Sequence, residues 1–525
     1  MLSCSTLLAL SFYLNSNSNP VSCQNSQWQK LMDAGTAACK QSDYASAQKY
    51  FSSAVDDSQA NANKTHLGSS LNDLGLVLES QGKHDEAEAA FKQALENKKE
   101  NFSSQSIELV PTLNNLAKLY CQKSDWEKAE SYYQQALVIS EKANGPNHPS
   151  LAVCLNNLAS VLREEHKFPE AKSALERCLA IVQSAYGSNS PAVAIELNNL
   201  GKVYEDQGDT EEAKKFYNQA LNIRQNATVS NGNEIADDLN KMAAIYRSQG
   251  NFEQAEALLS KALKSLENGK NVDSRNLIIA LNNLAIVERE LQKYDQADSL
   301  YKRSIEIAQK DFGTNSKEYA NCLDNLGDLY LEQQKLSQAI AQYQQALEIR
   351  KKLFGDHSQE ITISLNKILE IHREQGNYSL AESEGKEIVD ILEKGPNKDK
   401  IVLATSVSNL ALLYREEGKG VEVESLLKKS IAIDESPDSG CSQEILANDL
   451  NNLARFYREQ GNYSQSQELY IRSLAIRKSL FGPYDLRVAA SLRNYANLLR
   501  QMNKNSEAQK LEQEAEIIER KNKSD

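Results

Sequence analysis

The sequence predicts an all-α solenoid of about twelve antiparallel helix pairs, from a strict repeat length, an apolar helical stripe in each copy and glycines placed between the halves. One pattern returns with its anchor at Leu31, Leu71, Leu113, Leu155, Leu197, Leu239, Leu281, Leu323, Leu365, Val407, Leu450 and Leu492. From Leu71 to Val407 the spacing is 42 residues without a slip, with one spacing of 40 before it and one of 43 after it. A period of this size marks stacked supersecondary units rather than separate cores.

Each copy reads as two helices. Leu113, Leu116, Ala117 and Tyr120 fall at i, i+3, i+4 and i+7, so at about 100° per residue they share one stripe. Trp126, Ala129, Tyr133 and Ala136 repeat that spacing in the second half. Between the halves lie polar breaks such as Gln81-Gly82-Lys83, Gln207-Gly208-Asp209 and Gln249-Gly250-Asn251, where Gly takes the positive φ that ends a helix.

Small residues recur where the two helices must approach: Gly75, Ala117, Ala159, Gly201 and Gly327 in the first, Ala87, Ala129, Ala171, Ala213 and Ala339 in the second. The aromatics Phe91, Tyr133, Tyr217, Tyr301, Tyr343 and Tyr470 fill the remaining space. This small-aromatic-small grammar separates the chain from HEAT and armadillo arrays and resembles the tetratricopeptide repeat. The 42-residue form with Leu-Asn-Asn-Leu-Ala is similar to the repeats of kinesin light chains and of their stand-alone bacterial relatives, over residues 28 to 522. The resemblance implies a right-handed superhelix whose first helices line a concave groove. Kinesin light chains also carry a long heptad segment ahead of their repeats. Fewer than 30 residues precede the first repeat here, so a motor-cargo adaptor is the disfavoured reading.

Composition narrows the function classes. At 525 residues the chain is long enough for three or four ordinary domains, but a solenoid reduces that count to one continuous array over residues 28 to 525. A net charge of −13 argues against nonspecific binding to nucleic acid or to an anionic membrane. No run of about 18 apolar residues is present to span a bilayer. Residues 1 to 27 stand outside the array: Leu7 to Leu14 followed by Asn15 to Asn19 has the outline of a secretory signal, though no Lys or Arg precedes it. Export, to a periplasm or outside the cell, is favoured over a disordered Asn/Ser-rich tail in a cytoplasmic protein.

No site for chemistry emerges. The eight cysteines are scattered, none in a Cys-x-x-Cys pair, and no histidines stand at ligand spacing, so no metal site is expected. Phosphate loops, Gly-x-Ser-x-Gly and His-Glu-x-x-His are absent, so neither a catalytic site nor a cofactor is expected. The six histidines are assigned loop or surface roles, as for His148 in Gly145-Pro146-Asn147-His148-Pro149.

Asparagine on one face points to binding. In each Asn-Asn pair the second residue lies about 150° from the core stripe, together with the residues three and seven positions further on. By the resemblance this strip faces the groove, so Asn115, Asn157, Asn199, Asn283, Asn325, Asn409, Asn452 and Asn494 form a ladder of amides, each a donor and an acceptor for a peptide backbone. Lys118, Lys202 and Arg455 occupy the next position of the strip, which varies between copies and would set specificity. One turn on, Glu164, Asp206, Glu290, Glu332, Glu374, Glu416 and Glu459 add an acidic rail suited to a ligand carrying Lys or Arg. The first asparagines, Asn114, Asn156, Asn198, Asn240, Asn282 and Asn451, are expected to bond the neighbouring repeat instead. The arginines at the stripe's end, such as Arg163, Arg289 and Arg373, are expected in ion pairs between repeats.

The expected function is therefore a non-enzymatic scaffold holding a peptide segment or helix of another protein in its groove. The alternative is an assembly component acting through its convex face. Copies 9 and 10 break the grammar, with Leu369 for a small residue, Gly385 for an aromatic, and Gly420 and Val423 at other key sites. With the extra residue near Ser436-Pro437-Asp438-Ser439-Gly440, a hinge is expected over residues 365 to 445.

Overall fold

The computed structural model describes residues 26–227, 231–269, 272–395, 399–436 and 443–522. Most of the expected leader lies outside them, as do Cys4, Cys23, Cys441 and the insertion from Pro437 to Gly440. Among the described residues there are 24 α-helices and no strand, arranged as twelve consecutive pairs. The chain divides into two compact units, Met1–Lys270 and Asn271–Asp525. Pairs 1 to 6 belong to the first and pairs 7 to 12 to the second.

Pair 3 shows why each copy folds as it does. Its first helix, Val110–Gln122, opens with Pro111, whose missing N–H costs nothing in the first turn. Ser124 then takes a φ of 57°, where Gly82 and Gly208 stand at 75° and 88° in the matching turns. Asp125 caps the second helix, Trp126–Asn144, by accepting from the Lys128 backbone N–H at 3.2 Å. Gly145, at φ 90°, ends it.

The core repeats the small-aromatic contact. A Cβ added to Gly201 would lie 2.5 Å from the Tyr217 ring, and one on Gly327 would lie 2.6 Å from Tyr343. Both tyrosines are fully buried, so each phenol finds a carboxylate: Tyr217 donates to Glu205 at 2.7 Å and Tyr343 to Asp328 at 2.6 Å. Pair 9 inverts the sizes. Leu369 supplies the bulk and Gly385 the space, a Cβ on Gly385 falling 3.4 Å from Leu369 and 2.9 Å from Leu410. Ile388, Ile391 and Leu392 pack beside them with Leu365, all nearly inaccessible. The stretch expected to contain a hinge falls within the second unit.

In each unit the first helices form one layer and the second helices another. Successive first helices come close enough for amide-to-amide bonds, from Asn115 to Asn72 at 3.0 Å and from Asn494 to Asn451 at 3.1 Å. Successive second helices reach across with long ion pairs, Lys351 to Glu387 and Lys478 to Glu514, both at 2.7 Å. Backbones of successive first helices, such as Lys64–Ser80 with Val110–Gln122 and Ser274–Glu290 with Lys317–Glu332, approach within 8 Å more often than those of successive second helices. The first-helix layer is therefore the more closely spaced, inner side of each unit.

Candidate functional site

The inner strip is set by helical phase: four residues make about 400°, so the position two before the anchor, the second asparagine and the two positions after it share one face. The structure divides the eight second asparagines. Asn115, Asn199 and Asn494 donate to the first asparagine of the preceding pair, to Asn72, Asn156 and Asn451 at 3.0, 3.3 and 3.1 Å. Asn283 is engaged as well. Asn157, Asn325, Asn409 and Asn452 have no hydrogen-bond partner among the described residues; Asn409 is exposed and the other three are half-buried.

The residue just before the next anchor shapes these contacts without fixing them alone, since Ser406 precedes Val407 and Asn409 is still untied. Where it is Thr112, Glu196 or Ser491, the first asparagine of the pair before accepts from the second asparagine one repeat on. Thr112 itself donates to Asn72 at 3.0 Å, and Asn156 donates to Glu196 at 2.9 Å. Where that residue is a cysteine, the first asparagine turns to sulfur: Asn282 donates to the Cys322 thiol at 3.9 Å. Its Oδ1 is then buried without a partner, and Asn325 stays free. The Asn114 Oδ1 is likewise buried without a partner one repeat before Cys154, and Asn157 stays free.

The charged residues expected to choose a ligand are already paired. Lys118 meets the buried Glu79 at 2.8 Å, and Gln122 donates to the same carboxylate at 2.7 Å. Lys202 sits 3.0 Å from Asp206 and 3.1 Å from Glu205; burial lowers its pKa, but these carboxylates outweigh that and hold it above the ordinary value. Arg455 meets Glu459 at 3.0 Å. The stripe-end arginines bridge repeats as expected, Arg163 to Asp206 and Arg289 to Glu332 at 2.9 Å each, and Arg373 to Glu416 at 3.8 Å. Glu290 and Glu374 are exposed and carry no ion pair among the described residues.

Sequence reasoning missed a buried polar position on the second helices. Lys98, Arg224, Arg350 and Arg477 recur at the repeat spacing, each at most 9% exposed, and point at the residue before the next anchor. Lys98 donates to Thr112 at 3.0 Å, Arg224 to Asp238, Arg350 to Ser364 and to Asp324 (2.6 Å), and Arg477 to Ser491 (2.6 Å) and Asn448 (2.6 Å). At the equivalent place between pairs 10 and 11 stands Asp434, facing Asp449. Asp449 accepts from Ser408 at 2.6 Å and from Ser430, and burial, with Asp434 adding to it, pushes its carboxyl up to about 6. The signal was the 42-residue spacing itself, hidden because other copies place Val182, Leu266, Ala308 or Leu392 there.

The histidine assignments need correction at two positions, the first being His66, which lies half-buried in the helix Lys64–Ser80 and stacks on Trp28 with ring centroids 3.8 Å apart. The second, His372, lies in a helix, 8% exposed, with Nδ1 2.8 Å from Glu384, because pair 9 puts this couple where other pairs stack rings such as Tyr120 on Tyr132. His148 does stand in its loop, 2.8 Å from Ser150.

The model of the tetratricopeptide repeat matches residues 29–100, 108–184, 155–226, 234–310, 276–352 and 446–516, well over half of the chain. The chain belongs to the tetratricopeptide repeat family. Among solved structures, this tetratricopeptide repeat protein is similar to BtubC (BKLC) from P. vanneervenii, at 24% identity over 45% of this chain and 90% of that one, TM-score 0.36. A putative kinesin light chain from Podosopora anserina with nearly identical TPR-like repeats matches at 20% identity over 39% of this chain and 97% of that one, TM-score 0.35. A tetratricopeptide repeat protein from Parabacteroides merdae ATCC 43184 matches at 15% identity over 58% and 98%, TM-score 0.40. No curated protein matches the chain. Among the described residues, no helix of this tetratricopeptide repeat protein is long and apolar enough to cross a membrane, and no group of three or more His, Cys, Asp and Glu side chains could hold a metal ion.

Proposed function

We propose that the chain is a non-enzymatic scaffold that holds a peptide segment or helix of another protein against the inner layer of first helices. Tetratricopeptide repeat proteins are typically interaction scaffolds. The observation that carries the reading here is the presence of unpartnered amides on the inner strip of each unit, Asn157 in the first and Asn325, Asn409 and Asn452 in the second. A side-chain amide with no partner in the fold offers a donor and an acceptor to an incoming chain at no cost to the packing. Asn115, Asn199 and Asn494 act through the fold instead, and Lys118, Lys202 and Arg455 set the strip's shape more than its net charge, since each is neutralised in place.

The test replaces Asn157, Asn325, Asn409 and Asn452 together by Ala and compares affinity capture from the native extract, with captured proteins identified by mass spectrometry, against the unaltered chain. Partners should be lost while helical signal and melting temperature hold. Capture that survives these changes but fails after substitutions on the second helices would place binding on the outer layer.

A further inference from the structure

The inner strip of pairs 7 to 9 has two unlike edges. Near the helix starts stand Ile279 and Ile363, two positions before their anchors and 49% and 45% exposed. Near the helix ends of the same two pairs stand Glu290 and Glu374, the carboxylates without an ion pair. Between the edges the charges cancel, Lys367 meeting Asp328 at 2.6 Å. Asn325 is the free amide on the floor. Ile363 also rims a half-open cavity of about 310 Å³ whose lining mixes Ile391 and Leu392 with the polar His357, Ser358, Gln359 and Glu360, room for a side chain with an apolar stem and a polar end beside that edge.

We infer that this surface takes a basic amphipathic helix, its apolar edge along Ile279 and Ile363 and its Lys or Arg residues toward Glu290 and Glu374. The inference rests on the groove reading above and adds the chemistry of the occupant. Eleven residues separate the two edges along each first helix, about 16 Å of rise, which an α-helix of roughly 10–12 Å diameter fills when rail side chains reach inward. An extended chain would bring a row of unpaired N–H and C=O groups, and a single free amide cannot satisfy them; a helix arrives with its backbone bonds made. Adjacent first helices pack roughly 8–10 Å apart, so the two carboxylates lie about two such steps apart. At 1.5 Å of rise that calls for cations roughly 11 to 13 residues apart on one edge of the ligand. The chain's net charge of −13 favours such a ligand at long range.

The probe is a labelled 20-residue helical peptide with Leu along one edge and Lys along the other, titrated into the full chain by fluorescence anisotropy. Two companions carry Glu in place of Lys, or two prolines that break the helix. The Leu/Lys helix is expected to bind, and the other two to bind at least tenfold more weakly. Reversing both carboxylates, Glu290→Lys with Glu374→Lys, should weaken the Leu/Lys helix at least tenfold and admit the Glu peptide. The same charge change on exposed second-helix sites, Glu127→Lys with Glu170→Lys, should have little effect. Ile279→Ser with Ile363→Ser should weaken the Leu/Lys helix with unchanged melting. Equal binding of the Lys and Glu peptides, equal loss from the two reversals, or tight binding of the proline peptide overturns the inference. If no peptide binds while the four-asparagine variant still loses native partners, this inference falls and the groove reading stands.

Discussion

At the scale of single residues, identical asparagines carry different work. Asn199 and Asn494 each close a half-buried bond between repeats, worth about 1 kcal/mol net. Asn199→Ala or Asn494→Ala should lower stability by about that amount in urea titration, whereas Asn409→Ala should leave it unchanged. The strip itself was legible, because helical phase alone puts every second asparagine on one face. Which amides are tied was not, because the residue that competes for the first asparagine, Thr112 for Asn72 or Cys322 for Asn282, stands in the next repeat. A second residue-scale consequence concerns the turns. Gln334 holds a φ of 58°, a left-handed conformation that disfavours a side chain, where the matching turn in pair 5 uses Gly208. Gln334→Gly should raise the stability by about 0.5–1 kcal/mol after the added freedom of the unfolded chain is counted, read as a higher melting temperature.

At the scale of helices and their pairs, the apolar grammar was readable because it repeats without exception in most copies: small residue, aromatic, small residue. Pair 9 shows the limit of that reading, since Leu369 and Gly385 break the rule singly but trade sizes together. The polar junctions were unreadable for the opposite reason. Arg350 looks like one more surface arginine on a charged helix, yet it is 1% exposed and bonds Asp324, Asn321 and Ser364. Burial holds the Asp324 carboxyl above its ordinary value even with this arginine beside it. Arg350→Met therefore strands a buried carboxylate and should cost about 3–5 kcal/mol. Adding Asp324→Asn should return much of the loss, because the stranded charge costs more than the missing contact. Chemical denaturation of the single and double variants measures the difference.

At the scale of the whole chain, stability is a sum of helix pairs and the junctions between neighbours, so one weak junction sets where a unit opens first. The sequence placed all twelve pairs, but the division between Lys270 and Asn271 had no counterpart in the repeat grammar, which runs through that point at the same 42-residue spacing. In the second unit the junction of pairs 10 and 11 is expected to weaken as pH rises to neutral, because the buried Asp449 carboxyl then ionises. The junctions of pairs 8 and 9 and of pairs 11 and 12 place Arg350 and Arg477, and that of pairs 9 and 10 places Leu392, where this one places Asp434 opposite Asp449. The Asp449 carboxyl is pushed up to about 6 from an ordinary 3.8 by burial. The folded state therefore holds this proton more tightly than the unfolded chain, and between those values the native form binds more protons. The contribution is fully present below about pH 4 and is lost as pH rises through about 6. Each tenfold change in proton affinity is worth roughly 1.4 kcal/mol, so the swing in stability is on the order of 2–3 kcal/mol. Hydrogen exchange of Gly420–Asp434 and Gln443–Glu459 should accordingly show lower protection factors at pH 7.5 than at pH 5, after correction for intrinsic exchange rates. Asp449→Asn keeps a neutral side chain that still bonds Ser408 and Ser430, so it should abolish the difference and leave the junction as firm at pH 7.5 as the parent is at pH 5. Protection that stays pH-dependent in Asp449→Asn would assign the weakness to another group.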